Sequence, residues 1–507
     1  MLDNILNQLT YNPQEPLIFS SGLFLVLVLG FSLVYMLLQH TRTLRLLFVT
    51  AFSYYFYYKS SGFYFGLLAI VTISDFLIAN KIAAIKQCDS QNRSDSQIEN
   101  RKSVNRKLKW LVALSLLIDL GLLCYFKYTN FFAGMIAQMF GSNFQPWDIF
   151  LPVGISFFTF QSMSYVIDVY RGDLKPLPSL LDYAFYVSFF PQLVAGPIVR
   201  ARDFAPQIRK PLAISPDMFA RGVYFIVIGL FKKAVISDYI SLNFVDRIFD
   251  NPSLYSGVEN LLGIYGYSMQ IYCDFSGYSD MAIGIALLLG FRFPMNFNAP
   301  FRADSITDYW RRWHISLSSW IRDYIYISLG GNRKGKIRQY INLVITMLLG
   351  GLWHGASLNF VAWGGLQGVA LAVHKWLREN VFHHDRHYVS RGVKKFFAVL
   401  LTFHFVCFGW LLFRNPTFDV SWIQFQQIVG DFHPELFLQV ITGYWEVFAI
   451  IAFGYLTHFL PDRWQEAFIG VLKRGGVVVC ALALVVVIYI VIQVKSSEIQ
   501  PFIYFQF

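Results

Sequence analysis

Charge is scarce in this sequence. Only 14% of the 507 residues are Asp, Glu, Lys or Arg, and 55% are hydrophobic, whereas an ordinary soluble domain carries about 25% charged residues. Water is therefore not the main solvent of the chain. At about 20 apolar residues per crossing, the length has room for roughly ten or more membrane-spanning helices and no large soluble domain. Cysteine is sparse as well. Cys88, Cys124, Cys273, Cys407 and Cys480 are scattered without a C-x-x-C pair, so neither a zinc site nor a disulfide framework is indicated. The first sixteen residues hold no Lys or Arg, which argues against a cleavable signal peptide and makes the apolar run 17–38 an anchor that stays. No Walker loop, G-x-S-x-G elbow, H-E-x-x-H pair or dinucleotide fingerprint is present, so a serine triad is unsupported and no metal ligand set is expected.

Aromatic residues, in contrast, are abundant at 18%, with 51 Phe. That exceeds what interfacial belts need, so rings must also pack between helices. The net charge of +11 sits in short loops between apolar runs, which is the positive-inside pattern and not a nucleic-acid footprint. The 81–109 segment holds eight Lys/Arg, and 199–210, 302–338, 375–395 and 463–474 are also basic; 1–16, 128–148 and 415–438 have none. Alternating these segments places both termini on the non-cytoplasmic face. Apolar runs begin near Leu17, Leu46, Phe63, Leu111, Ile149, Tyr183, Met218, Leu261, Tyr340, Phe396, Val440 and Gly476. Several could hide two helices, so about 11 to 13 spans are expected. The fold class is all-α: one polytopic membrane domain over 1–507, with 84–109 a polar cytoplasmic loop, disordered or helical.

Two histidines lie in apolar surroundings. Residues 340–373 run 34 positions without Asp, Glu, Lys or Arg, with His354 near the middle. At 1.5 Å per residue this is too long for one straight span. Gly350, Gly351 and Gly355 suggest a break or a close helix contact there. An ionisable group at membrane depth is costly and marks a functional site by default; the bland alternative is a neutral histidine bonded to a neighbouring carbonyl. The other histidine is His314. Ser305-Ile-Thr-Asp308 has the form of a capping box and should start a helix. On it Ile306, Trp310, Trp313, Leu317, Trp320, Ile321 and Tyr324 form one apolar stripe, with His314 at its edge and Arg311, Arg312, Ser319 and Arg322 facing away. Such a helix should lie at the cytoplasmic interface. Asp274 and Asp280 are six apart and do not share a helix face, so they do not read as an acid/base pair; Asp274 would orient a histidine or a substrate hydroxyl, or serve helix packing.

These residues resemble a known family. Trp310-Arg-Arg-Trp-His-Ile-Ser-Leu-Ser318, Arg322-Asp-Tyr, Leu329-Gly-Gly-Asn-Arg333 and Gly350-Gly-Leu-Trp-His-Gly355 are similar to motifs of the membrane-bound O-acyltransferases (MBOAT), in the branch that O-acetylates alginate and other surface polymers. Pro152-Val-Gly-Ile-Ser-Phe-Phe158, Phe190-Pro-Gln-Leu-Val-Ala-Gly-Pro197, Asn296-Phe-Asn-Ala-Pro-Phe301 and the ending Pro501-Phe-Ile-Tyr-Phe-Gln-Phe507 extend the likeness. It covers most of 150–375, the signature core, and the tail.

The resemblance implies a ring of tilted transmembrane and re-entrant helices around a central tunnel, with His354 catalytic and His314 its companion. The expected activity is transfer of an acyl group, acetyl in this branch, from a cytoplasmic thioester across a bacterial inner membrane to a surface polysaccharide such as alginate. No bound cofactor is implied; acetyl-CoA would be the donor substrate. Lipids, a polysaccharide acceptor and a separate SGNH-type acetyltransferase would be the partners. His354 would accept the proton of the acceptor hydroxyl, in a passage open to both faces and lined by His314, Trp313, Trp353, Asp274 and Asn298. Arg311, Arg312, Arg322, Arg333 and Lys334 would suit the donor's phosphates, although the positive-inside rule explains them equally. Two rivals are D-alanyl transfer to teichoic acid from a carrier protein and a proton-coupled secondary transporter, for which the chain shows no inverted repeat.

Overall fold

The computed structural model describes residues 8–13, 16–91, 98–383, 390–494 and 502–503. All regular structure among these residues is helical, as the apolar runs require, because a backbone surrounded by lipid must satisfy its own hydrogen bonds. Four helical stretches are long and apolar enough to cross a membrane: Arg42–Gln91, Lys102–Met139, Gly392–Arg414 and Asp462–Val494. A fifth is Pro434–Gly443 with Trp445–His458, if that pair, bent by 92°, counts as one. Others among the apolar runs fold as shorter or more polar helices, such as Ile155–Arg171 and Lys336–His354.

The helices gather into two compact units, one formed by 1–215 with 285–293 and the other by 216–284 with 294–507. In the first unit, rings fill the helix contacts as the Phe content demands. Phe190 lies 5.1 Å from Phe52 and 5.5 Å from Phe31, both at 76°, the edge-to-face geometry that aromatic pairs favour. Two signature motifs meet in this unit. Gly154 holds φ +75°, and a Cβ there would sit 2.6 Å from the Leu193 carbonyl oxygen, so only glycine fits this left-handed, crowded position.

The described residues of the polar 84–109 segment continue two helices. Phe65–Gln91 runs through its beginning and Ile98–Leu123 through its end, while 92–97 lies outside the described residues. Lys86 donates to the Val169 carbonyl at 3.2 Å and to that of Tyr170, where the Ile155–Arg171 helix leaves its last carbonyls without intrahelical partners.

The second unit is built on the 32-residue helix Gly257–Leu288, most of which it contains, and on a helical hairpin, Lys336–His354 and Leu358–Asn380. Beside them pack Pro216–Leu230, which continues as a π-helical stretch Phe231–Ser237, and the kinked helix Asp462–Val494. Both histidines belong to this unit.

Candidate active site

The uncharged run 340–373 is a hairpin, which is how it exceeds the length of one span. Lys336–His354 ends at His354, Gly355 is extended, and Ser357 restarts the chain by capping Leu358–Asn380 through its side chain. The two helices touch through glycines. A Cβ on Gly351 would lie 2.2 Å from the Phe360 carbonyl oxygen and 3.0 Å from the Gly364 Cα, and one on Gly364 would lie 2.3 Å from the Met347 carbonyl oxygen. This is the close backbone approach that small residues permit between membrane helices. Gly350 takes no part, having only the Ile321 Cδ1 within reach at 3.7 Å. His354 thus stands at a hairpin tip, 2% exposed.

The stretch around His314 departs from the expected continuous helix. Ser305 does start a helix, its Oγ accepting the Asp308 N–H at 3.3 Å, but that helix stops at Arg312. Trp313 is extended, His314 adopts φ +43° and ψ +56°, and a new helix covers Ile315–Trp320. The break has a tertiary cause. The segment before Pro300 runs alongside, with the Asn298 N–H donating to Arg312 O and the Ile315 N–H to Asn296 O, both at 2.9 Å. A non-glycine residue in the left-handed region costs on the order of 1–3 kcal/mol, and such residues cluster at functional sites. Every apolar residue of the expected stripe is nonetheless buried, and His314 is 0% exposed. The helical wheel gave the right burial through the wrong local geometry.

The break and the hairpin tip bring the two imidazoles together, ring centroids 6.4 Å apart. They are close enough for one small group to touch both. Trp353 flanks both rings, at 6.0 Å from His314 and 5.1 Å from His354. Trp363 and Phe413 each stand 5.3 Å from His354, and Phe275 stands edge-on to His314 at 4.7 Å. An enclosure of this kind keeps bulk water from a reacting ester or thioester. Residues 52–373 match the membrane-bound O-acyltransferase family. The chain belongs to that family.

Its relatives act on different polymers by name. It is 42% identical to a probable alginate O-acetylase of Azotobacter vinelandii, over 80% of this chain and 77% of that one. It is 38% identical to a peptidoglycan O-acetyltransferase of Helicobacter pylori, over 64% and 65%. A teichoic acid D-alanyltransferase of Bacillus subtilis is 31% identical, over 52% and 69%. The chain is accordingly a multi-pass membrane O-acyltransferase, and the transporter reading falls.

Other expected site residues of this O-acyltransferase divide. Trp313 is buried among Tyr309, Phe297 and Trp410, in the wall of the same aromatic cluster. Both carboxylate oxygens of Asp274 are engaged by other groups: Oδ1 takes the Lys233 ammonium at 2.6 Å and Oδ2 the Ile503 N–H at 3.0 Å. That geometry favours the packing alternative. Asp280 pairs separately with Lys232 at 2.8 Å, consistent with two carboxylates that do not form one acid/base pair. Asn298 is exposed, whereas Asn296, two residues earlier, is buried against His314. Arg311, Arg322, Arg333 and Lys334 are exposed, and Arg312 is half-buried and held by Asp308 at 2.8 Å.

Among the contributors that escaped the sequence reading are Asn296, Trp363 and Phe413. Asn296 and Trp363 lie inside the family match, but Phe413 comes from Gly392–Arg414, beyond it. In sequence that helix is a largely apolar span, which does not say which edge faces protein.

Proposed function

We propose that this O-acyltransferase passes an acetyl group from acetyl-CoA, bound from the cytoplasm, across the membrane for O-acetylation of a cell-surface polysaccharide of the alginate kind. The observation that carries the reading is the pair of buried histidines 6.4 Å apart at two broken helix ends. In the reaction the acceptor oxygen bonds the acyl carbon while its proton passes to His354. The carbon–sulfur bond then breaks, and the leaving thiolate recovers that proton. His314 orients the reacting groups. Burial of both rings strengthens every electrostatic contact with the developing charge.

Acetyl transfer is favoured over D-alanyl transfer by the higher identity and wider coverage of the O-acetylase relatives. Arg311, Arg322, Arg333 and Lys334 are exposed basic residues suited to the phosphates of the donor. The same reading puts the chain in a bacterial inner membrane with both termini outside the cytoplasm, and gives it a separate SGNH-type acetyltransferase as partner. The test is reconstitution with that partner and the polymer, with labelled acetyl-CoA supplied on the face bearing Arg333. Label should reach polymer on the opposite face. Transfer only when donor and polymer share one face rejects cross-membrane passage, and transfer only from a D-alanyl carrier rejects the donor.

A further inference from the structure

The reaction leaves open what His314 contributes, since an imidazole can either accept a proton or donate one. A neutral histidine does one at each nitrogen, and which nitrogen carries the hydrogen is set by its neighbours. The neighbour here is Asn296, fully buried, whose Oδ1 lies 3.0 Å from His314 Nδ1. An asparagine amide offers an oxygen on one side and an NH₂ on the other, so its orientation must be fixed before the tautomer can be read.

Three contacts fix it. The Ser316 backbone N–H, which can only donate, points to Asn296 Oδ1 at 3.3 Å. Ser316 Oγ donates to the same oxygen at 2.9 Å. On the other side Asn296 Nδ2 donates to Ser279 Oγ at 3.0 Å. Turning the amide over would set its NH₂ against the Ser316 N–H, a buried donor facing a donor, which costs about 1–3 kcal/mol. The backbone locks the arrangement further. The Asn296 carbonyl accepts the Ile315 N–H at 2.9 Å, so the residue that holds the imidazole also pins the chain on its far side. Asn296 therefore meets His314 with an acceptor, and His314 meets it with Nδ1–H.

We infer that Asn296 is a positioning residue that holds His314 as the Nδ1–H tautomer, leaving Nε2 as the atom that accepts. This deepens the acyl-transfer reading and rests on it for its consequence: neutral His314 serves the hydroxyl side of the reaction, orienting the acceptor by taking a hydrogen bond from a hydroxyl other than the one that gives its proton to His354, and does not donate to the oxyanion. The left-handed backbone of His314 has a use in this arrangement. It turns the ring onto Asn296 from a chain that would otherwise continue as helix.

Solid-state NMR of the full chain in lipid, labelled with ¹⁵N-histidine, tests this without requiring activity. The His314 signal is identified by its loss in His314→Asn. Protonated Nδ1 with unprotonated Nε2 is expected, and that pattern should be retained in Asn296→Asp, where a carboxylate still accepts from His314 and Ser316 and Ser279 can turn to donate. In Asn296→Leu, similar in size but without an acceptor, the tautomer should become mixed, and kcat should fall by about tenfold or more with KM for the donor little changed. Protonated Nε2 in the wild type, or a full kcat in Asn296→Leu, overturns the inference. If Asn296→Leu does not accumulate in membranes, the wild-type and Asn296→Asp spectra decide alone. A wild-type protein that transfers no acyl group retires the proposed function and leaves the tautomer assignment to stand or fall on the spectrum.

Discussion

Lys233 and Asp274 form an ion pair 2.6 Å long with both side chains buried, on helical segments 41 residues apart in sequence. Lys233 also reaches Asp238 at 2.7 Å. Its neighbour Lys232 pairs with Asp280, so two consecutive lysines on the π-helical stretch neutralise two carboxylates of Gly257–Leu288. Removing one partner leaves a buried charge and costs about 3–5 kcal/mol. Lys233→Met should therefore lower the unfolding temperature in detergent and the yield in membranes, with turnover per folded molecule largely kept. A stable Lys233→Met protein with abolished turnover would instead return Asp274 to the reaction.

The hairpin makes a paired prediction. Gly351→Ala places a methyl group 2.2 Å from the Phe360 carbonyl, and overpacking of a tight contact costs about 1–3 kcal/mol or more. Gly350→Ala meets nothing closer than 3.7 Å and should be neutral or stabilising by up to about 1 kcal/mol, because alanine favours helix over glycine. Thermal unfolding of the two variants side by side checks this. Equal loss in both would mean that the helices do not meet at Gly351.

At His314 the backbone and the side chain can be separated. Asparagine tolerates the left-handed region better than most residues, so His314→Asn should keep the fold near normal. Turnover should still fall by at least about tenfold, roughly 1.4 kcal/mol of barrier. Wild-type turnover in that variant would reduce His314 to a packing residue.

These contrasts show which parts of the site the sequence made legible. His354 stood out because an ionisable residue in a long uncharged run is expensive, and the same run was too long to be a single helix. His314 was legible as a buried group because the period of its neighbours survives a short break. The break itself was hidden, since hydrogen bonds from the 296–298 segment cause it. Asn296 and Asn298 illustrate the limit most sharply. They sit two residues apart in an irregular stretch, where no periodicity says which one faces inward, and the inward one was missed. Asp274 was left between two roles because its partner lies on a distant π-helical turn. Phe413 was invisible because an apolar span looks the same whether a given edge meets lipid or protein.

Topology is tested by labelling single cysteines in a background without the exposed Cys88 and Cys124. Lys107→Cys, exposed on its helix, should be labelled only from the cytoplasmic side, and Asp431→Cys only from the other, as the charge distribution requires. Labelling of Lys107→Cys from outside intact cells would invert the assigned orientation.

The account turns on His354. In cells whose only copy of this chain carries His354→Ala, the ester content of the surface polymer should drop to background, while the amount of the protein in the membrane stays near the wild-type level. Full acetylation in that strain would contradict the assignment of His354 as the catalytic base.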